Sequence, residues 1–383
     1  MYKIIKILII LIGLVPVSCS KKQDSGTKAE KEFIFSLNDT DTLINSITCD
    51  YLQLEETPES LLGSIGSIIE VDGKLILSDD KEYVIYAFDI NGKFLSRIGN
   101  RGQGVGEYVS PSAFFVDSIN KEIGVYDEEQ NKVIYYNLYS YEYIKEQSFE
   151  DILSNCCVPY ESGLLWYNQS YEGRTADKYF VSTDSEGVID GAYVDKIFKS
   201  GYSTGASNHV YSLDGHVYGY TPYAMTVYEF ENGKVVPSFE ITIEGFSTPT
   251  IDFLNNISNG GMSNTLFSGL SKSDFISWYS ILDTRNLLCI SVIRQKIRYL
   301  GFVDKSTKGT LFMLQDEFTR KTGIGRISYS IPGSIDGKVL MATDKEKLEV
   351  AVEEGIILDS RLKEILMTNN ENPIIVKIGI KDI

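Results

Sequence analysis

Asx-Gly dipeptides punctuate this chain, among them Asp72-Gly73, Asn91-Gly92, Asp214-Gly215, Asn232-Gly233 and Asp336-Gly337. A two-residue hairpin turn asks for positive φ at both central positions, which Asn, Asp and Gly tolerate best. The first two pairs lie 19 residues apart and the next two 18. Each couple therefore encloses a matching unit of two strands and one connection. A chain cut this way folds from short antiparallel strands, because parallel strands need crossovers of a dozen residues or more.

The strands between the turns extend the pattern. Ile65–Val71, Lys74–Leu77, Tyr83–Asp89 and Phe94–Ile98 make four strands in about 35 residues. The same frame fits the rest of the chain, with first hairpin turns at 72, 120, 162, 214, 285 and 336. The intervals are 48, 42, 52, 71 and 51, against about 40–50 residues for a propeller blade. The spacing predicts an all-β fold, a six-bladed β-propeller of four-stranded antiparallel blades. The long interval holds an insertion at about 245–274, read as a loop with short helices. In the sixth unit, Leu348, Val352, Ile356, Leu362, Ile365 and Leu366 recur at helical spacing, with a break at Gly355. Ile374–Ile380 follows as a closing strand, and Glu32–Leu37 is expected to complete that unit's fourth strand. A β-sandwich or two smaller all-β domains compete with this reading, but no linker rich in Pro, Gly or Ser divides the chain.

Composition narrows the function. The 383 residues carry a formal charge of −17, which disfavours nucleic acid, since a phosphate backbone needs a basic footprint. Two His and five Cys leave little material for a metal site or a cofactor ligand set, and none is expected. Cys49, Cys156, Cys157 and Cys289 are scattered without a C-x-x-C spacing and read as buried apolar residues. The 25 Tyr and 32 Gly suit strands and turns.

The start of the chain reads as an address. Lys3 and Lys6 precede an apolar run, Ile7–Val17, too short to span a bilayer. Ser18-Cys19 and a polar stretch follow. This is similar to a bacterial lipoprotein signal, in which the cysteine becomes the lipidated first residue. Residues 1–18 are expected to be a signal peptide, 19–30 a flexible tether and 31–383 the propeller. Removing the signal leaves 34 basic against 53 acidic residues, or −19. The partners expected are a membrane, through lipid at Cys19, and a ligand. The site is the bacterial cell envelope, periplasmic or surface-exposed, and the chain is read as a monomer.

Phe88-Asp89-Ile90-Asn91-Gly92-Lys93-Phe94-Leu95, then Arg97-Ile98-Gly99, Gly102-Gln103-Gly104-Val105-Gly106-Glu107-Tyr108 and Pro111, resembles an NHL-type propeller repeat. Together with the closing Asn372–Ile380 segment, the chain resembles six-bladed β-propeller lipoproteins of Bacteroidetes. The resemblance implies a fold and an address but no mechanism. The Gly102–Gly106 run is not a phosphate loop, because another turn and strand follow it instead of a helix.

In such a blade the a–b and c–d hairpins share one face, and the b–c and d–a connections share the other. The long connections, 100–111, 169–178, 196–207, 245–274 and 315–325, are expected around the channel mouth, where loops on a rigid scaffold bind ligands. Candidate ligand-binding residues are Arg101, Tyr171, Arg174, Tyr202, Tyr223, Arg294 and Arg320, whose guanidinium and phenol groups suit a glycan, a carboxylate or a peptide. His209 and His216 are read as structural. No catalytic constellation stands out, so the first reading is a binding or scaffold module. The alternative is a propeller hydrolase or lyase with a channel metal such as calcium, needing convergent groups such as Asp117, Asn208 and Asp316.

Overall fold

At Asp72-Gly73 the backbone takes φ +47° and +70°, and Asp214-Gly215, Asn232-Gly233 and Asp336-Gly337 repeat this double positive pair. Asn91-Gly92 differs. Only Gly92 is positive, and a bulge between Ala87 and Phe88 takes up the extra residue. A computed structural model describes residues 29, 31–37, 43–149, 152–198, 208–258, 263–328 and 330–381.

Six antiparallel sheets follow, each with strands a to d. Blade 1 comprises Ile68–Val71, Lys74–Asp79, Val84–Asp89 and Phe94–Ile98. Blade 2 runs from Pro111 to Ser148, blade 3 from Cys157 to Asp195, blade 4 from Val210 to Ile243 and blade 5 from Ile276 to Leu314. Blade 6 combines Ser334–Ile335, Lys338–Thr343 and Ile374–Ile380 with an N-terminal strand.

That N-terminal strand corrects an expectation. The first strand, β1 (Lys31–Phe35), does not complete blade 6. It runs parallel to the outer strand of blade 4, making that blade five-stranded. The second, β2 (Ile47–Gln53), pairs with Ile374–Ile380 along seven residues and closes the ring. Phe35 is fully buried against Phe312 of blade 5. The segment from β1 to β2 thus connects the rims of blades 4 and 6.

Between each pair of neighbouring blades lies one apolar cluster, filled by alternate residues of facing strands. This explains the adjacent cysteines. Cys156 packs towards blade 4 and Cys157 towards blade 2. Both are buried free thiols, as is Cys289, while Cys49 is half-buried. Cys19 lies outside the described residues.

The described α-helices occupy b–c or d–a connections. The expected insertion holds α1 (Ile251–Ser258) and α2 (Ser263–Lys272). Connection 315–325, read from sequence as a long loop, carries α3 (Gln315–Thr322). The blade 6 helix is split into α4 (Lys345–Glu353) and α5 (Ser360–Leu366), with Gly355 at φ +77° in the break. Asp344 and Asp359 cap α4 and α5, each accepting a backbone amide hydrogen bond.

Candidate functional site

The a strands surround a channel of about 790 Å³, within the range of small-molecule sites. At the end nearer the long connections it is lined by Ser67, Ser110, Asn155, Asn208 and Pro332, with Asp80 and Tyr83 from the b–c turn of blade 1. At the hairpin end stand Asp214, Asp283, Arg285 and Asp336, with Glu70 near them on blade 1.

Bridges between blades fix the hairpin end. Arg285 donates to Asp214 at 2.7 Å, Thr284 Oγ1 to the Gly337 carbonyl at 2.9 Å, and the Asp336 amide to Glu70 at 2.8 Å. On the same face, Tyr139 Oη of blade 2 donates to Asp72 of blade 1 at 2.8 Å. Asp283 is buried, and Lys305 Nζ lies 2.5 Å from its Oδ1. Burial pushes the Asp283 carboxyl up and Lys305 opposes this. Asp80 is open to the channel yet walled by protein. That enclosure raises its pKa, the Ser78 hydrogen bond opposes the rise, and the Asp79 charge adds to it.

The described residues among the ligand-binding candidates sit elsewhere, and none of them lines the channel. Arg101 comes nearest, its guanidinium 5.6 Å from the ring centre of Tyr83 at the mouth. Tyr171 is half-exposed. Arg174 donates to the Ile189 carbonyl of its own blade at 3.1 Å. Tyr223 is buried under α1 and α2 with Phe198, Leu254, Leu266 and Leu270. Arg294 donates to the Gly245 carbonyl at 2.9 Å and covers the Phe246 ring, so it holds the insertion to blade 5. Arg320 is exposed in the last turn of α3, and Tyr202 lies outside the described residues. Tyr223 and Arg294 both serve the insertion; the other described candidates are not drawn together.

His209 is buried between Tyr167, at 4.0 Å between ring centres, and Tyr220. Its Nδ1 lies 2.7 Å from the Tyr220 carbonyl, which can only accept and so fixes the proton on Nδ1. Burial lowers its pKa to about 4.

The groups named for a metal enzyme do not converge. Asn208 accepts from Tyr220 Oη at 2.7 Å and Ser280 Oγ at 3.0 Å and donates to the Ile281 carbonyl at 2.9 Å. Asp117 folds back on the amides of Ile119 and Asn120, and Asp316 opens α3. Among the described residues no group of three His, Cys, Asp or Glu could hold a metal. Sequence reasoning missed the channel wall itself, Glu70, Asp80, Tyr211, Asp283 and Asp336. Their one usable signal is position, at the ends of a strands or in a b–c turn.

A family model described as a 6-bladed beta-propeller, DUF5128, matches residues 22–341. The chain belongs to the DUF5128 family. A Bacteroides fragilis protein, designated an exported one, has a crystal structure similar to this DUF5128 propeller at 32 % identity and a TM-score of 0.86. The match covers 92 % of this chain and 100 % of that one. A DUF4221 member from Bacteroides vulgatus aligns at 11 % identity and a TM-score of 0.53, over 88 % of this chain and 99 % of that one, a likeness of fold alone. No curated protein matches the DUF5128 chain. Among its described residues no helix is long and apolar enough to cross a membrane.

Proposed function

We propose that this chain is an exported lipoprotein, anchored through Cys19, whose NHL-like propeller binds a glycan, peptide or protein partner at the end of the channel framed by the long connections. The carrying observation is the open channel of about 790 Å³ with polar walls, held by a ring of inter-blade bridges. Such a scaffold presents a fixed concave surface at little ordering cost. The resemblance of residues 1–26 to a lipoprotein signal and the exported relative support the address. A calcium-dependent hydrolase or lyase is the weaker reading, because Asn208 and Asp117 spend their polar atoms on the fold itself.

Two experiments test this. Metabolic labelling with a palmitate analogue in the source bacterium is expected to mark the wild type and not Cys19→Ala; equal labelling of both removes the anchor. Glycan and peptide arrays at moderate salt are expected to give hits. A blank result across both arrays counts against the binding role.

A further inference from the structure

Among the described lining residues the channel carries five carboxylates, Glu70, Asp80, Asp214, Asp283 and Asp336, against one basic residue, Arg285. Arg285 is committed to Asp214, and Lys305, reaching in from behind the wall, to Asp283. Glu70, Asp80 and Asp336 remain without a basic partner. Glu70 accepts the Asp336 amide and Asp80 accepts from Ser78 Oγ. The channel therefore holds uncompensated negative charge, inside a protein that is itself strongly negative.

A second observation is independent of charge. Tyr211 lines the channel on blade 4, is 8 % exposed, and its hydroxyl has no hydrogen-bond partner. Ser112, on the blade 2 wall, likewise carries an unpaired hydroxyl. Buried polar groups are normally satisfied, so the wall retains hydrogen-bonding capacity that the protein does not use.

We infer that the channel is the ligand site and that its ligand carries an organic ammonium group, held by the unneutralised carboxylates while its neutral polar atoms meet the wall hydroxyls. This rests on the binding role proposed above and narrows it to a chemical class. Ammonium groups come from lysyl peptides or from unacetylated amino sugars, and the carboxylates would serve either. Negative walls around a low-dielectric cleft also draw such a ligand in, an effect that salt weakens.

The test is calorimetric titration of the full-length protein with end-capped Ala-Lys-Ala, a glucosamine trimer, and the Nε- or N-acetylated form of each. At least one cationic probe is expected to bind, and its acetylated form to bind about tenfold more weakly. The isosteric variants Asp80→Asn and Glu70→Gln/Asp336→Asn, with unchanged thermal midpoints, are expected to weaken the same probe about tenfold; a loss in one variant alone supports the inference and locates the charge. Tyr211→Phe is expected to weaken it about threefold. The inference is overturned if neither cationic probe binds, if acetylation makes no difference, or if both carboxylate variants bind like the wild type. Array hits that persist in those variants would leave the general binding role standing while removing the channel as its site.

Discussion

Asp79 and Asp127 occupy the same place in consecutive blades, 48 residues apart. Asp79 accepts from the amides of Gly63 at 2.6 Å and Ser64 at 3.1 Å, and Asp127 from those of Val109 at 2.6 Å and Ser110 at 3.3 Å. Each carboxylate also accepts from two amides of its own b–c turn. One buried side chain thus clips the incoming connection to the blade it enters.

Removing that clip leaves several buried amides without an acceptor. Asp79→Ala and Asp127→Ala are each expected to cost about 3 kcal/mol, read as lower urea midpoints at unchanged slope. Asp89→Ala, which loses two exposed turn bonds, is expected to cost about 1 kcal/mol.

Gly92 and Gly187 pair across blades in another way. A Cβ on Gly92 would sit 2.6 Å from the Gln53 carbonyl oxygen, and one on Gly187 2.6 Å from that of Ser148, and both residues have positive φ. Gly92→Ala and Gly187→Ala are expected to lower stability by about 3 kcal/mol. Gly73 and Gly233 also have positive φ but open space around them, so Ala there is expected to cost about 1 kcal/mol. Thermal melts of the four variants separate backbone strain from collision.

His209 gives a pH dependence with a definite sign. Its folded pKa is about 4, against 6.5 unfolded. Below pH 6.5 the unfolded chain takes up a proton that the folded chain refuses until about pH 4. Stability is therefore full above pH 6.5 and falls as the pH drops towards 4, by about 3 kcal/mol from this group. His209→Asn keeps a donor for the Tyr220 carbonyl, and its denaturation midpoint is expected to fall less than that of the wild type between pH 7 and pH 4.5.

Phe35 tests the docking of β1. It is fully buried, and its ring reaches Gly301 and Phe312. Phe35→Ala is expected to cost about 4 kcal/mol. Ile34→Ala, half-exposed on the same strand, is expected to cost less than about 1 kcal/mol. Equal losses would show that β1 does not seal blade 5.

The blades were legible because their signals are local. Asx-Gly pairs and alternating strands lie within a few residues of their partners. The fate of Glu32–Leu37 was not, because alternation marks a strand but does not say which open edge it joins. The true closing strand was hidden because its apolar stripe is weak: Ile47, Cys49 and Tyr51 pack on one cluster but are only half-buried, and they alternate with polar Thr48 and Asp50. In α3 only Gln315, Phe318 and Thr319 are buried, too little periodicity for eight residues. For the site, long loops drew attention to Arg and Tyr side chains that hold the insertion, as Arg294 and Tyr223 do. The channel acids looked like ordinary turn residues, and only the ring brings Glu70 beside Asp336, 266 residues away in sequence.

The pairing of β2 with Ile374–Ile380 also governs when this molecule can become whole. During synthesis, five blades' worth of chain emerges before the partner of β2 exists. Until then it is an open arc with unpaired edges, the state most prone to stick to its neighbours. Joining ends so far apart in sequence is a slow step. A chain cut short before residue 374 lacks the strand that pairs with β2 and leaves the circle open.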